Sequence, residues 1–138
     1  MTIQKIAVPV DLAHVDKIGK ALDLAAVLAK QTNAKVCYMG VTSSAPSSVA
    51  HTVEEFKKRL ESFAEEQGKQ HGIDASSDTI KCNDPAVDLG DALIEASKEE
   101  KVDTIVMASH VPGIAEHFFA SNAGYVASHA PVSVFVVR

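Results

Sequence analysis

Short apolar runs rich in Val and Ile alternate along this chain with segments of helical periodicity, and that alternation constrains its fold more than any other feature. Ile3 to Val10 and Val102 to Ala108 are apolar nearly throughout. Runs of this kind, with no polar face, read as strands covered on both sides. Lys35 to Val41, Asp78 to Cys82 and Val132 to Val137 supply three further strands. Between them, Asp16 to Gln31 places Ile18, Ala21, Leu22, Ala25, Leu28 and Ala29 at helical spacing, one face in. Thr52 with Glu55 forms a capping box ahead of Val53, Phe56, Leu60 and Phe63, in a helix ending near Gly68 to Gly72. Asn83-Asp84-Pro85 starts a third helix, with Leu89, Leu93 and Ala96 on its buried face. A fourth runs from Ser121 to Ala130, where Pro131 stops it.

The order βαβαβαβαβ predicts an open five-stranded parallel sheet with helices on both faces. One domain over residues 1–138 is expected at this length. Thr42 to Ala50, rich in Ser, Pro and Ala, is the best loop candidate and the expected mobile segment. The charged side of the second helix reads as a solvated face.

Composition narrows the function classes. A net charge of −5 without a basic stripe argues against nucleic acid. No apolar run is long enough to span a bilayer, and the chain opens directly into a strand, so a cytoplasmic protein without membrane contact is expected. Cys37 and Cys82 lie in apolar segments and read as buried free thiols. The six histidines show no close metal-ligand spacing, and no metal site is expected. No Walker-type Gly-Lys-Ser/Thr is present. With no lysine placed at phosphates, at most a slow ATPase is expected.

In such sheets ligands bind beyond the carboxyl ends of the strands, where strand order reverses. Three strand ends converge there: Pro9-Val10-Asp11, Gly40-Val41 and Ala108-Ser109-His110. Asp11 can accept from ribose hydroxyls, or cap the following helix, and the two roles are compatible. Ala120-Ser121-Asn122 opens the last helix, whose first N–H groups and dipole favour an anion. Ser121 reads as a phosphate contact or as a simple cap. His110 reads as a contact to phosphate or water, or as a loop residue with a local structural role.

The chain resembles the universal stress protein family, single-domain type, over its whole length. The resemblance rests on Ile6 to Asp11, Asp103 to His110, and Ser121-Asn122-Ala123 through His129-Ala130-Pro131 to Arg138. It implies a Rossmann-like fold of the adenine nucleotide alpha hydrolase type, with strand order 3-2-1-4-5. It implies ATP or a related adenine nucleotide, with Mg2+ as its companion ion. By matched position the adenosine would meet Pro9, Val10, Asp11 and Val41. The phosphates would meet Met107, Ala108, Ser109 and His110, then Ala120, Ser121 and Asn122. Nucleotide-binding members carry glycines where this chain has Ala108, Val111 and Ala120. A variant-loop branch, similar to the stretch from Ser109 to Ala123, tolerates loss of the middle glycine. A methyl at Ala108 or Ala120 takes space needed for close backbone approach to a phosphate. Weakened or altered nucleotide binding is therefore expected, with a nucleotide-free interaction module as the alternative. The resemblance also implies a homodimer through the edge strand Val132 to Val137, and a regulatory role in stress tolerance with protein partners unspecified.

Overall fold

The computed structural model describes residues 2–43, 46, 49–109 and 118–138, with backbone alone at 85–86 and 118–121. Five parallel strands form one sheet: β1 Lys5–Pro9, β2 Lys35–Thr42, β3 Ala75–Lys81, β4 Thr104–Ala108 and β5 Ser133–Val137. Their order is β3-β2-β1-β4-β5, as expected. Four helices connect them: α1 Gly19–Thr32, α2 Val53–His71, α3 Pro85–Glu99 and α4 Phe118–His129.

The strand alternation explains why the central strands are apolar throughout. Ile6, Val8, Val10, Val36, Tyr38, Val106 and Ala108 pack against α1 and α2. Ala7, Cys37, Met39, Ile105 and Met107 pack against α3 and α4. Successive side chains thus enter two different cores, and neither can be polar.

Local signals set several element ends. Thr52 Oγ1 accepts from the Glu55 N–H at 3.1 Å, the expected cap. The return bond is displaced by one residue, because Glu55 Oε2 accepts from the N–H of His51 at 3.1 Å. Gly72 closes α2 at φ 66°, a left-handed turn that glycine adopts without strain.

Three boundaries differ from expectation by three residues. A 3-10 segment, Leu12–Lys17, fills the connection where α1 was expected to start at Asp16. His14 kinks the segment internally at φ −134°, and Ile18, at φ −112° and ψ 18°, separates it from α1, which begins at Gly19. β3 starts at Ala75, three residues before Asp78, because a seven-residue ladder with β2 carries the polar Ser76 and Ser77 into the sheet. α4 starts at Phe118, so the Ala120-Ser121-Asn122 step lies within the helix and does not open it. Part of the Thr42 to Ala50 loop, residues 44, 45, 47 and 48, lies outside the described residues.

Cys37 and Cys82 are buried free thiols, as expected. Tyr38 is fully buried, edge-on to Phe63 at 5.4 Å, and its hydroxyl has no hydrogen-bond partner among the described residues. Burial pushes the Cys37 thiol up to about 11 and the Tyr38 phenol up to about 12. Both groups hold their protons in the folded chain at pH values where an unfolded one loses them. The folded state then binds more protons, and stability falls as pH rises. The window opens near pH 9, where unfolded cysteine begins to ionise in quantity, and closes at about 12. Urea midpoints are expected to drop clearly between about pH 8 and about pH 11. Equal midpoints would show that neither group is desolvated.

Candidate functional site

The chain runs outward from β1 to β3 on one side and then crosses to β4 and β5 on the other. The order therefore reverses between β1 and β4, and their carboxyl ends frame the expected crevice. The β1–β4 ladder pairs only Ile6 with Thr104 and Ala7 with Ile105, although β1 continues to Pro9 and β4 to Ala108. On its other side β1 stays paired with β2 through Pro9 opposite Met39.

Proline chemistry accounts for the early end. The Val10 N–H donates to Met39 O of β2 at 2.8 Å, and the Asp103 N–H of the β4 approach donates to Lys5 O at 3.1 Å. Backbone polar groups alternate sides along a strand, so Lys5, Ala7 and Pro9 face β4. Pro9 has no N–H to offer there. Beyond Ala7 the ladder records no further pairs, and Val8 to Asp11 stand on one side with Val106 to Ser109 on the other.

The walls differ in character. Val10 and Met107 are buried core residues pointing to opposite faces of the sheet, so only their backbone borders the crevice. Asp11 sits at the rim with its side chain 21% exposed. Its Oδ1 accepts from the Ala13 N–H at 3.0 Å, and its Oδ2 is 2.9 Å from His14 Nδ1. The capping role expected of Asp11 is present, on the 3-10 segment rather than on α1. Val41, half-buried at the end of β2, lies one strand further out and leans on the α3/α4 side.

On the β4 wall, Ala108 stays paired with Val137 of β5 and is 9% exposed. The Ser109 N–H and hydroxyl both donate to Val137 O, at 2.8 and 3.3 Å. Ser109 is thereby drawn toward β5. Asn122 Oδ1 is directed at α3: a Cβ built on Gly90 would lie 3.1 Å from it. His110, Val111 and the rest of the connection to residue 117 lie outside the described residues, as do the side chains of Ala120 and Ser121.

The β1 side combines backbone outside the β1–β4 ladder with a rim carboxylate, the chemistry that a nucleoside's hydroxyls and base can use. The β4 wall, Val106 to Ser109, contributes no cationic side chain. Asp11 is the one carboxylate these two walls supply, so Mg2+ would arrive with a polyphosphate rather than in a protein cage. Among the described residues no group of three His, Cys, Asp or Glu could hold a metal ion, and no helix is long and apolar enough to cross a membrane.

Sequence reasoning missed His14. The signal was its spacing of three from Asp11, which aligns two side chains on a 3-10 turn. It also missed the contact between the last two helices, where Tyr125 donates to Asp91 and stacks on His129 at 4.1 Å.

Comparison with known proteins places these features in context. The model of the universal stress protein family matches residues 2–138. Universal stress protein G of Salmonella typhimurium is 31% identical over 140 residues, covering 96% of this chain and 97% of that protein. Among solved structures, a universal stress protein in complex with cAMP aligns over 100% of this chain and 99% of its own, with 24% identity and a TM-score of 0.72. A universal stress protein from Archaeoglobus fulgidus in complex with dAMP aligns over 100% of both chains, with 21% identity and a TM-score of 0.67. At these identities the structural likeness is one of fold.

Proposed function

This chain belongs to the universal stress protein family, and we propose that it is a dimeric cytoplasmic regulatory module that binds ATP or a related adenine nucleotide weakly. The carrying observation is at the topological switch point: the β1–β4 ladder stops at Ala7, and the Asp11 carboxylate is held just past β1 by Ala13 and His14. Relatives of the same fold were solved with cAMP and dAMP, which supports an adenine nucleotide as the class of ligand. Pro9, Val10, Asp11 and Val41 take the adenosine in this reading. Ala108 and the start of α4 take the phosphates, with Mg2+ carried on the nucleotide. The module signals by occupancy and does not turn nucleotide over efficiently.

Calorimetry with ATP, AMP and Mg2+ tests the reading. Saturable heat with a high-micromolar to millimolar Kd is expected. No heat and no thermal shift at millimolar nucleotide overturns it. That outcome would leave the nucleotide-free interaction module, which the Ala108 methyl and the turn of Ser109 toward β5 favour.

A second measurement isolates the missing glycines. Ala108→Gly with Ala120→Gly is expected to tighten ATP binding about tenfold, the size of one relieved steric contact. Ala120 lies in the first turn of α4, so the change also costs about 1 kcal/mol of helix propensity. Affinity is therefore compared at temperatures where both proteins are fully folded. Unchanged affinity would remove the two methyls from the account.

A further inference from the structure

We propose that His14 is a positioning residue: it holds the Asp11 carboxylate in the orientation that receives the sugar hydroxyls of the nucleotide. This rests on the nucleotide reading above and names a residue that reading did not include.

The geometry comes from the 3-10 segment that follows β1. Asp11 is the extended N-cap of this segment and His14, three residues on, is its kink at φ −134°. Two separate bonds join them. The His14 N–H donates to Asp11 O at 3.0 Å, and His14 Nδ1 lies 2.9 Å from Asp11 Oδ2. The Ala13 N–H occupies the other oxygen, Oδ1, at 3.0 Å.

These contacts act differently on the carboxylate. The Ala13 bond holds one oxygen and the His14 bond holds the other. A carboxylate turns as a unit about its Cβ–Cγ axis, so two bonds on opposite oxygens resist that rotation more than one does. An ionised carboxylate only accepts, so the proton between the two side chains is carried on His14 Nδ1. In a neutral ring this selects the Nδ1–H tautomer and makes Nε2 the acceptor.

The pair stands where it matters for a ligand. The Asp11 side chain is 21% exposed and the His14 side chain 39%, both at the β1 rim of the crevice. A sugar hydroxyl that donates to Asp11 meets an acceptor already aimed. Without His14 the carboxylate keeps its charge and its Ala13 bond but loses the hold on Oδ2. The loss should fall on ligands that use their hydroxyls, and less on those lacking one.

Comparison of AMP with 2′-deoxy-AMP reads out that difference. In the wild type, AMP is expected to bind more tightly. His14→Ala should weaken AMP about tenfold, the scale of one hydrogen bond to a charged group. It should weaken deoxy-AMP less, moving the ratio of the two affinities toward one. His14→Asn should restore the ratio, because the Asn amide nitrogen sits on Cγ as Nδ1 does. His14→Gln, with its nitrogen one bond further out, should not. A purely structural His14 would lower both affinities together and leave the ratio unchanged, which overturns the proposal. So does an Asn variant no better than Ala.

Nitrogen-15 NMR of the ligand-free protein provides an independent arm. His14 is expected mainly as the Nδ1–H tautomer or the doubly protonated ring. A dominant Nε2–H signal overturns the proposal without reference to any nucleotide. If the wild type binds neither nucleotide, the functional reading fails, and the ligand half of this proposal fails with it. Binding by the wild type with an unaltered ratio in His14→Ala defeats the proposal alone.

Discussion

Leu60→Ala is expected to destabilise the protein by about 2–5 kcal/mol, among the largest effects of any single truncation in this chain. Leu60 is fully buried on α2, and α2 lies directly on β2. The closeness is visible at Gly40: a Cβ there would come within 2.9 Å of the Phe56 ring and 3.0 Å of Leu60 Cδ2. A helix already in contact with backbone has little room to sink into a new hole, so the cavity persists and its cost is added to the lost transfer energy. Domains of this kind have only about 5–15 kcal/mol in total, so the urea midpoint should fall steeply with an unchanged slope. Gly40→Ala makes the reciprocal test. It should cost about 1–3 kcal/mol by overpacking. Combined with Leu60→Ala, some of the new methyl's crowding is relieved, so the double variant should lose less than the two single losses together by about 0.5 kcal/mol or more. Strict additivity would mean that the two sites relax independently, contrary to the packing described.

If two copies pair through β5 as proposed, Phe135→Asp should convert dimer to monomer. β5 is an edge strand, and Phe135 on it is 48% exposed while Val134 and Val136 lean into the α3/α4 core. An open strand edge beside an exposed aromatic ring matches the proposal that two copies of β5 pair antiparallel about a two-fold axis. A buried aromatic at such a position is worth about 2 kcal/mol or more on truncation. The symmetry counts it twice, and two like charges would then face each other. A rise in the dimer dissociation constant of about a thousandfold follows from about 4 kcal/mol. Sedimentation equilibrium at about 10–100 μM reads it, with circular dichroism confirming an intact fold. A monomeric wild type, or a variant that stays dimeric, would sink the edge-pairing reading.

How far the sequence could be read depended on how each element is buried. β1 and β4 were legible because Ile6 to Val8 and Ile105 to Met107 fill two cores and admit no polar residue. Strand order came from the family resemblance, and the position of the crevice from the rule that ligands bind where strand order reverses. β3 was read short because it is an edge strand, half-buried, and Ser76-Ser77 mimic a turn while backbone pairing with β2 holds them. The α4 start was misplaced because Ser121-Asn122 look like a cap, and Phe118-Phe119 offer no competing signal of their own. His14 escaped notice because histidines were weighed for metal spacing along helices, whereas its partner is a carboxylate on a 3-10 turn. The phosphate half of the site depends on residues 110–117, outside those described.

Pro9 carries a consequence beyond the fold. The β1–β4 ladder ends where one backbone hydrogen is missing from the place a rung would form. That loss is permanent and is built into the sequence. A ligand that bonds to the backbone there need not first break that rung, so less of its binding energy goes to reorganising its host. Modest contacts, of the kind a rim carboxylate and unladdered backbone can offer, then suit the weak and readily reversed binding proposed above.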